Sequence, residues 1–148
     1  MDQTRKLLQA VVENGRMGES ACDQLVARTD DLEMRKELLL EKRHYAGAAQ
    51  EAELRLAALG ERPRPKGAAA RAGLWMGMRL NTMLDPSAAH VAEIAIQGAT
   101  MGVVELTRAR NSLAEADAQA QGVASNLITR QQKAIERLKA FLREKTMV

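Results

Sequence analysis

Glu41 and His44, three residues apart in the stretch EKRH, are the residues whose types and spacing best suit metal chemistry. On a helix these side chains lie on neighbouring turns of one face, so a carboxylate oxygen and an imidazole nitrogen can reach one ion. In helix bundles that hold two carboxylate-bridged metals, two helices supply such a Glu-x-x-His pair and two others supply a single glutamate. Glu19 and Glu93 are the candidates for the single glutamates.

The small number of histidines limits this metal hypothesis, because His44 and His90 are the only two. The last helical stretch offers Gln131 and Glu136 but no second Glu-x-x-His pair, so the chain lacks ligands for a two-metal site. A mononuclear site for iron, manganese or zinc stays open, with the ligands Glu19, Glu41, His44, His90 and Glu93. We favour the alternative, in which Glu41 and His44 form a solvated helix face and the protein has no cofactor.

Other kinds of catalytic chemistry find no support in the sequence. Cys22 has no histidine near it in the sequence, and no serine lies in the context of a nucleophile elbow. The glycines are spread along helical stretches and form no phosphate-binding loop. The sequence therefore favours a protein that is not an enzyme.

The composition predicts a single all-helical domain. The 148 residues suit one domain, 1–148, and contain one Trp, one Tyr and one Phe. A core of Leu, Ile, Val, Met and Ala suits closely packed helices better than a sheet, which favours aromatic and β-branched residues. One cysteine excludes an internal disulfide. The polar start MDQTRK and the lack of a long apolar run predict a cytoplasmic protein without a transmembrane segment.

The spacing of apolar residues predicts four helices. The first begins near Asp2 or Thr4 and ends near Arg28. Gly15 and Gly18 lie in its apolar seam, where glycines indicate close backbone approach or room for another group. The other boundaries follow from capping and stop residues: Asp30 before the second helix, Gly60 after it, Asp85 or Ser87 before the third, Ser112 at its end and Asp117 before the fourth.

A long connection, residues 61–84, separates the second and third helices. Its first part, ERPRPKG, predicts an extended spacer, and AAARAGLWMGMRLNTML predicts a short extra helix. The connection can run from one end of a bundle to the other, since a helix of about 25 residues is about 37 Å long. Two helices, a long crossover and two further helices predict a ferritin-like four-helix bundle.

Four stretches of the chain also resemble a known class of proteins. NGRMGES in the first helix, RHYAGAAQEAELRLAALG at the end of the second, LWMGMRL in the crossover and HVAEIAIQGATMG in the third resemble small bacterial helical proteins classed with the ferritin-like four-helix bundles. The resemblance covers most of the chain. It implies this fold and an ancestry from metal-binding bundles, and it implies no particular activity.

A narrow polar line follows the third helix and contains His90, Glu93 and Gln97. On a helical wheel the line continues through Arg108, which favours an edge in contact with solvent over a polar site aimed inward. Because the line is narrow, the helix must bury most of its surface, and we expect the crossover or a second subunit to add to the cover from its bundle neighbours. Gln97 and Met101 are therefore candidates for contacts with a partner.

The crossover is the best candidate for an interaction surface. Arg71, Trp75, Met78 and Arg79 would form a short amphipathic helix with cationic edges, which could contact anionic lipid or a nucleic-acid backbone. We favour docking of its apolar side chains on the bundle, with the arginines in water. A nucleic-acid partner is disfavoured, because the sequence offers no aromatic platform on which bases could stack.

Two hypotheses about function follow from these observations. The first is a non-catalytic helical bundle that acts by self-association, as a homo-oligomer, or by binding a protein partner through the third helix and the crossover. The alternative is a metal-binding bundle with a carboxylate and histidine site. The missing ligands in the fourth helix favour the first hypothesis.

Overall fold

The computed structural model describes residues 2–62 and 87–143. These residues form four α-helices and no strand, in the order α1 (Asp2–Val26), α2 (Leu32–Ala58), α3 (Ala88–Ser112) and α4 (Ala118–Lys139). The prediction of an all-helical fold with four long helices is confirmed for this part of the chain. The predicted extra helix of the crossover lies outside the described residues, together with Arg71, Trp75, Met78 and Arg79.

Side-chain caps begin three of the helices. Ser87 Oγ accepts a hydrogen bond from the backbone N–H of His90 at 3.3 Å, and Asp117 Oδ1 accepts one from Ala120 at 2.8 Å. Ser87 is one of the two caps expected for its helix, and the start expected near Asp117 is confirmed. The expectation that Asp30 caps α2 is wrong, because the cap is Asp31, whose Oδ1 accepts from the N–H of Met34 at 2.8 Å. Two adjacent aspartates can each serve in this role, and the backbone geometry of the turn selects the second.

The end of α2 follows the predicted stop signal. Gly60 adopts φ +76, the left-handed conformation that glycine takes without a Cβ penalty. Its N–H donates to Ala57 O at 3.0 Å, and the N–H of Glu61 donates to Leu56 O at 2.9 Å. These two bonds form a Schellman motif, which satisfies carbonyl groups that the helix leaves without partners.

The helices α1 and α4 run parallel to each other and antiparallel to α2 and α3, which are parallel to each other. At one end, the start of α1 meets the end of α2, where Arg5 Nη2 donates to Leu59 O at 3.1 Å. The loop from α3 to α4 reaches the same end, where the N–H of Asp117 donates to Thr4 Oγ1 at 2.9 Å. Arg62 and Ser87 therefore lie at opposite ends of the bundle, as the prediction of a long crossover requires. The ferritin-like assignment itself stays a prediction.

Two apolar clusters form the core. The cluster near the start of α1 contains Leu8, Leu56 and Leu106, and the cluster near its end contains Leu25, Met34 and Leu138. Three buried polar residues fall between the clusters, on three different helices: Asn14, Glu41 and Gln131. Leu, Val, Ile, Met and Ala fill most of the core, as the scarcity of aromatic residues predicts.

Within residues 2–62 and 87–143, none of the helices is sufficiently long and apolar to cross a membrane.

Candidate ligand cavity between α1 and α3

Two glycines of α1 let α2 approach closely. A Cβ at Gly15 would lie 2.7 Å from the backbone oxygen of Tyr45 and 2.9 Å from Ala49 Cβ. A Cβ at Gly18 would overlap the ring of Tyr45. The close approach predicted from these glycines is confirmed, and it places the Tyr45 ring inside the bundle, where 7% of the residue is exposed.

A third glycine, Gly102 of α3, makes room for a polar connection among three helices. Gln131 Nε2 of α4 donates to Asn14 Oδ1 of α1 at 2.8 Å, and Asn14 Nδ2 donates to Gly102 O at 3.0 Å. A Cβ at Gly102 would lie only 2.5 Å from Gln131 Nε2. The other amide atom of Gln131, Oε1, is buried and has no hydrogen-bond partner.

Beside this connection, α2 and α4 hold a pair of carboxyl groups and an arginine. Arg137 Nε donates to Glu37 Oε1 at 2.7 Å, and only 3% of Glu41 is exposed. Burial, together with the hydrogen bond and charge of Glu37, raises the pKa of Glu41 to about 9. Glu41 is therefore a neutral acid at pH 7, and its O–H donates to the Glu37 carboxylate.

An open-mouthed cavity of about 450 Å³ lies between α1 and α3. Its walls are mostly apolar and include Ala21 and Leu25 of α1 and Ile94, Ala99 and Met101 of α3. Its inner end reaches the other two helices through Glu41, Tyr45 and Gln131. The cavity therefore combines apolar walls with a few buried polar groups, as sites for small molecules do.

A much smaller cavity, of about 10 Å³, lies between α2 and α4 and brings Glu41 and His44 together. Its volume is near the lower limit for one water molecule. Arg130 also lines it. Burial lowers the pKa of His44, and the charges of Arg130 and Arg137 lower it further, so the imidazole is neutral and faces cations.

The structure separates the predicted metal ligands into three places. Glu19 Oε1 of α1 accepts a hydrogen bond from Arg16 Nη1 at 3.0 Å. His90 Nδ1 lies 3.3 Å from Glu93 Oε2, on the exposed edge of α3. Glu41 and His44 lie at the small cavity, away from both of these pairs. In the two described ranges, no group of three or more His, Cys, Asp and Glu residues is placed to hold a metal ion.

The polar line of α3 is an edge in solvent, as the sequence favoured. Glu93, Gln97, Thr100 and Arg108 are all exposed. The interpretation of Glu41 as part of a solvated face is wrong, because α4 covers the face of α2 that carries Glu41, and His44 beside it is half-buried. Of the proposed partner contacts, Gln97 is exposed, and Met101 is 42% exposed at the rim of the cavity.

Sequence reasoning did not find Asn14 and Tyr45 as site residues. Asn14 lies between Val12 and Gly15, beside the apolar seam of α1, where a polar residue is a usable signal for a buried hydrogen-bond network. Tyr45 gave no such signal, because only the packing against Gly18 shows that its ring points inward. Gln131 lies close to the apolar seam of the fourth helix in the sequence, and it is buried there.

Comparison of the chain with protein-family models, with curated proteins and with solved structures found no match. The geometry of the described residues defines an all-helical bundle with an open cavity between α1 and α3.

Proposed function

We propose that this protein is a non-catalytic binding protein that takes a small, mostly apolar molecule into the cavity between α1 and α3. The observation that carries the proposal is the position of Gln131, whose buried Oε1 lacks a partner in a residue that lines this cavity. A ligand that donates one hydrogen bond there would satisfy this oxygen.

The size and lining of the cavity support this function. Small-molecule sites usually have volumes of about 300–1,000 Å³ and apolar walls with few polar groups. The cavity of about 450 Å³ falls in this range, and Glu41, Tyr45 and Gln131 are its innermost polar groups. They come from α2 and α4, so a ligand that reached them would contact all four helices.

The energetic cost of the polar groups argues against a purely structural role for them. A buried polar atom without a partner costs about 1–3 kcal/mol, whereas an apolar side chain of similar shape at the same position avoids this cost. Gln131 Nε2 has a structural partner in Asn14, but Oε1 has none. A ligand that donates a hydrogen bond to Gln131 Oε1 would give this oxygen the partner that it lacks in the fold.

The chemistry of the lining groups supports binding over reaction. Burial raises the pKa of the Cys22 thiol and of the Tyr45 hydroxyl. Both groups are therefore uncharged at neutral pH, and a thiol without its charge is a weak nucleophile. The metal-binding alternative stays a prediction.

The test is titration of the full chain with N-phenyl-1-naphthylamine, an apolar probe that becomes fluorescent when it leaves water. We expect saturable binding at one site. Ala21→Phe places a ring at a half-buried lining position and should weaken binding at least about tenfold, which is about 1.4 kcal/mol. The matched control is Ala57→Phe at an exposed position of α2, which should leave binding unchanged. Equal binding by both variants, each folded by circular dichroism, would contradict the proposal.

A further inference from the structure

The charges around the cavity narrow the class of ligand. Three glutamates, Glu13, Glu41 and Glu105, are among the described residues that line it, and no lysine, arginine or histidine is. They come from α1, α2 and α3, so acidic groups reach the cavity from three helices, with Glu41 as a neutral acid in the free protein. The net charge of the whole chain is +3, so the acidic lining of the cavity differs in sign from the net charge of the protein.

An independent observation points to a hydrogen-bond donor at the inner end. Gln131 is 3% exposed, lines the cavity, and has a buried Oε1 that accepts no hydrogen bond. Glu41, also 3% exposed, lines the same end. An amide oxygen and a carboxyl group are both acceptors for an ammonium group, which has three donors and no acceptor.

We propose that the ligand is an organic cation, a mostly apolar molecule with one protonated amine, whose ammonium group donates to Gln131 Oε1 and to the carboxylate of Glu41. The apolar part of this ligand packs between α1 and α3, against Ala21, Ile94 and Ala99. This inference rests on the proposed function and names the chemistry of its ligand. A carboxylate of the same size would meet no basic side chain among the described lining residues, and an alcohol would gain no charge interaction.

Loss of one proton from Glu41 balances the positive charge that the bound ammonium group brings. In the free protein Glu41 carries a proton that it shares with Glu37, and Arg137 of α4 holds the other oxygen of Glu37. The other titratable groups near Glu41 are Cys22 of α1 and Tyr45 of α2, both neutral, and His44 of α2 and Arg130 of α4, which line the small cavity with it. When the ammonium group arrives, its charge favours ionised Glu41, so the carboxyl O–H bond breaks and the proton leaves to solvent.

The experiment compares three probes of equal chain length, n-octylamine, n-octanol and octanoate, by isothermal titration calorimetry on the full chain at neutral pH. We expect the amine to bind at least about tenfold more tightly than the alcohol, and octanoate to bind more weakly than both. Titration in two buffers of different ionisation enthalpy should show release of about one proton with the amine alone.

Glu41→Gln keeps the shape of the side chain and removes its charge. It should weaken n-octylamine at least about tenfold, abolish the proton release and leave n-octanol within about twofold. The control is Glu136→Gln, an exposed glutamate of α4 outside the cavity lining, which should change none of these values. If Glu41→Gln does not fold, the number of protons released when n-octylamine binds to the unaltered chain still tests whether the ligand is a cation.

The outcomes separate this inference from the proposed function. If n-octanol binds as tightly as n-octylamine, the ligand is not a cation, and the proposal of a small-molecule site remains. If none of the three probes binds, both proposals fail. If they bind only after Leu74, Trp75 and Met78 are replaced by alanine, the occupant is a segment of this chain, and both proposals are overturned.

Discussion

Gln131 of α4 donates its amide N–H to Asn14 Oδ1 of α1 across 2.8 Å, which joins residues 117 positions apart in the sequence. Asn14 Nδ2 in turn donates a hydrogen bond to the backbone oxygen of Gly102 at 3.0 Å. The bond lies between the two apolar clusters, where both side chains are buried and line the cavity. The pair therefore specifies how α1, α3 and α4 are aligned along the bundle.

Asn14→Ala and Gln131→Ala should each destabilise the fold. Each change removes one partner and leaves a buried polar group unsatisfied, which costs about 1–3 kcal/mol. The double variant should lose less than the sum of the two, because no orphaned partner remains. Urea unfolding followed by circular dichroism measures these values. Gln132→Ala, at the neighbouring exposed position, should stay within about 0.5 kcal/mol of the unaltered protein.

Gly15→Ala should destabilise the protein although alanine favours helix. The new Cβ would lie 2.7 Å from the backbone oxygen of Tyr45, which cannot move without shifting α2, so overpacking should cost about 1–3 kcal/mol. Gly47→Ala and Gly122→Ala meet nothing within 4 Å and should stabilise by about 0.5–1 kcal/mol. Thermal unfolding of the three variants should show these opposite signs, and a stable Gly15→Ala would contradict the close packing of α1 on α2.

Stability should fall as the pH rises, because folding raises the pKa of Glu41. Its value is about 9 in the folded protein and 4.5 in the reference state, so between these values the folded state binds more protons than the unfolded state. The free energy of unfolding should therefore decrease over this window, by up to about 1.4 kcal/mol per pH unit, and level off above it.

Urea unfolding across this pH range measures the slope. Glu41→Gln, which stays neutral at every pH, should flatten the profile between about 4.5 and 9 and should be more stable than the unaltered chain at the alkaline end. Glu136→Gln, at an exposed site, should keep the slope of the unaltered protein. A profile that rises with pH in this window would show that Glu41 is ionised in the folded state.

The thiol of Cys22 should be inert in the folded protein. Burial raises its pKa, and the negative charge of Asp23 raises it further, so almost no thiolate is present at neutral pH. Iodoacetamide should alkylate Cys22 only in step with unfolding, as measured by mass spectrometry at increasing urea concentrations. Ser20→Cys, placed on an exposed position in a Cys22→Ser background, should react at once without urea.

Self-association, expected from the sequence, can be tested on α3. Met101 and Val104 are 42% and 44% exposed, and they lie three residues apart on one face beside the cavity. If this face forms a dimer, Val104→Lys should convert dimers into monomers in sedimentation velocity experiments at micromolar concentration. Leu54→Lys, at a position of α2 that is 66% exposed, is the matched control and should leave the dimer intact. A monomeric unaltered chain would contradict self-association.

Much of the fold could be predicted because its signals are local. Asp117 and Ser87 cap helices through hydrogen bonds within three residues, and Gly60 ends α2 through its own backbone conformation. The solvent edge at Glu93 was likewise readable from helical periodicity. Asp30 was mistaken for the cap because the choice between adjacent aspartates depends on the geometry of the turn.

The candidate site was harder to predict, because buried and exposed polar residues have the same sequence pattern until the residues packed around them are known. Glu41 has the spacing of a surface pair with His44, but it is buried where α4 packs on α2. Its raised pKa comes from burial and from Glu37, one turn earlier on α2. Glu37 in turn accepts a hydrogen bond from Arg137 of α4.

By itself the sequence determined the four helices, the stop at Gly60 and the solvent edge of α3, since these depend on backbone conformation and helical periodicity within a few residues. Only the tertiary structure decided that Asn14 and Gln131 meet, that Glu41 is neutral and that a cavity opens between α1 and α3. These properties depend on distances between helices and on exclusion of water, which arise only when segments far apart in the chain pack together.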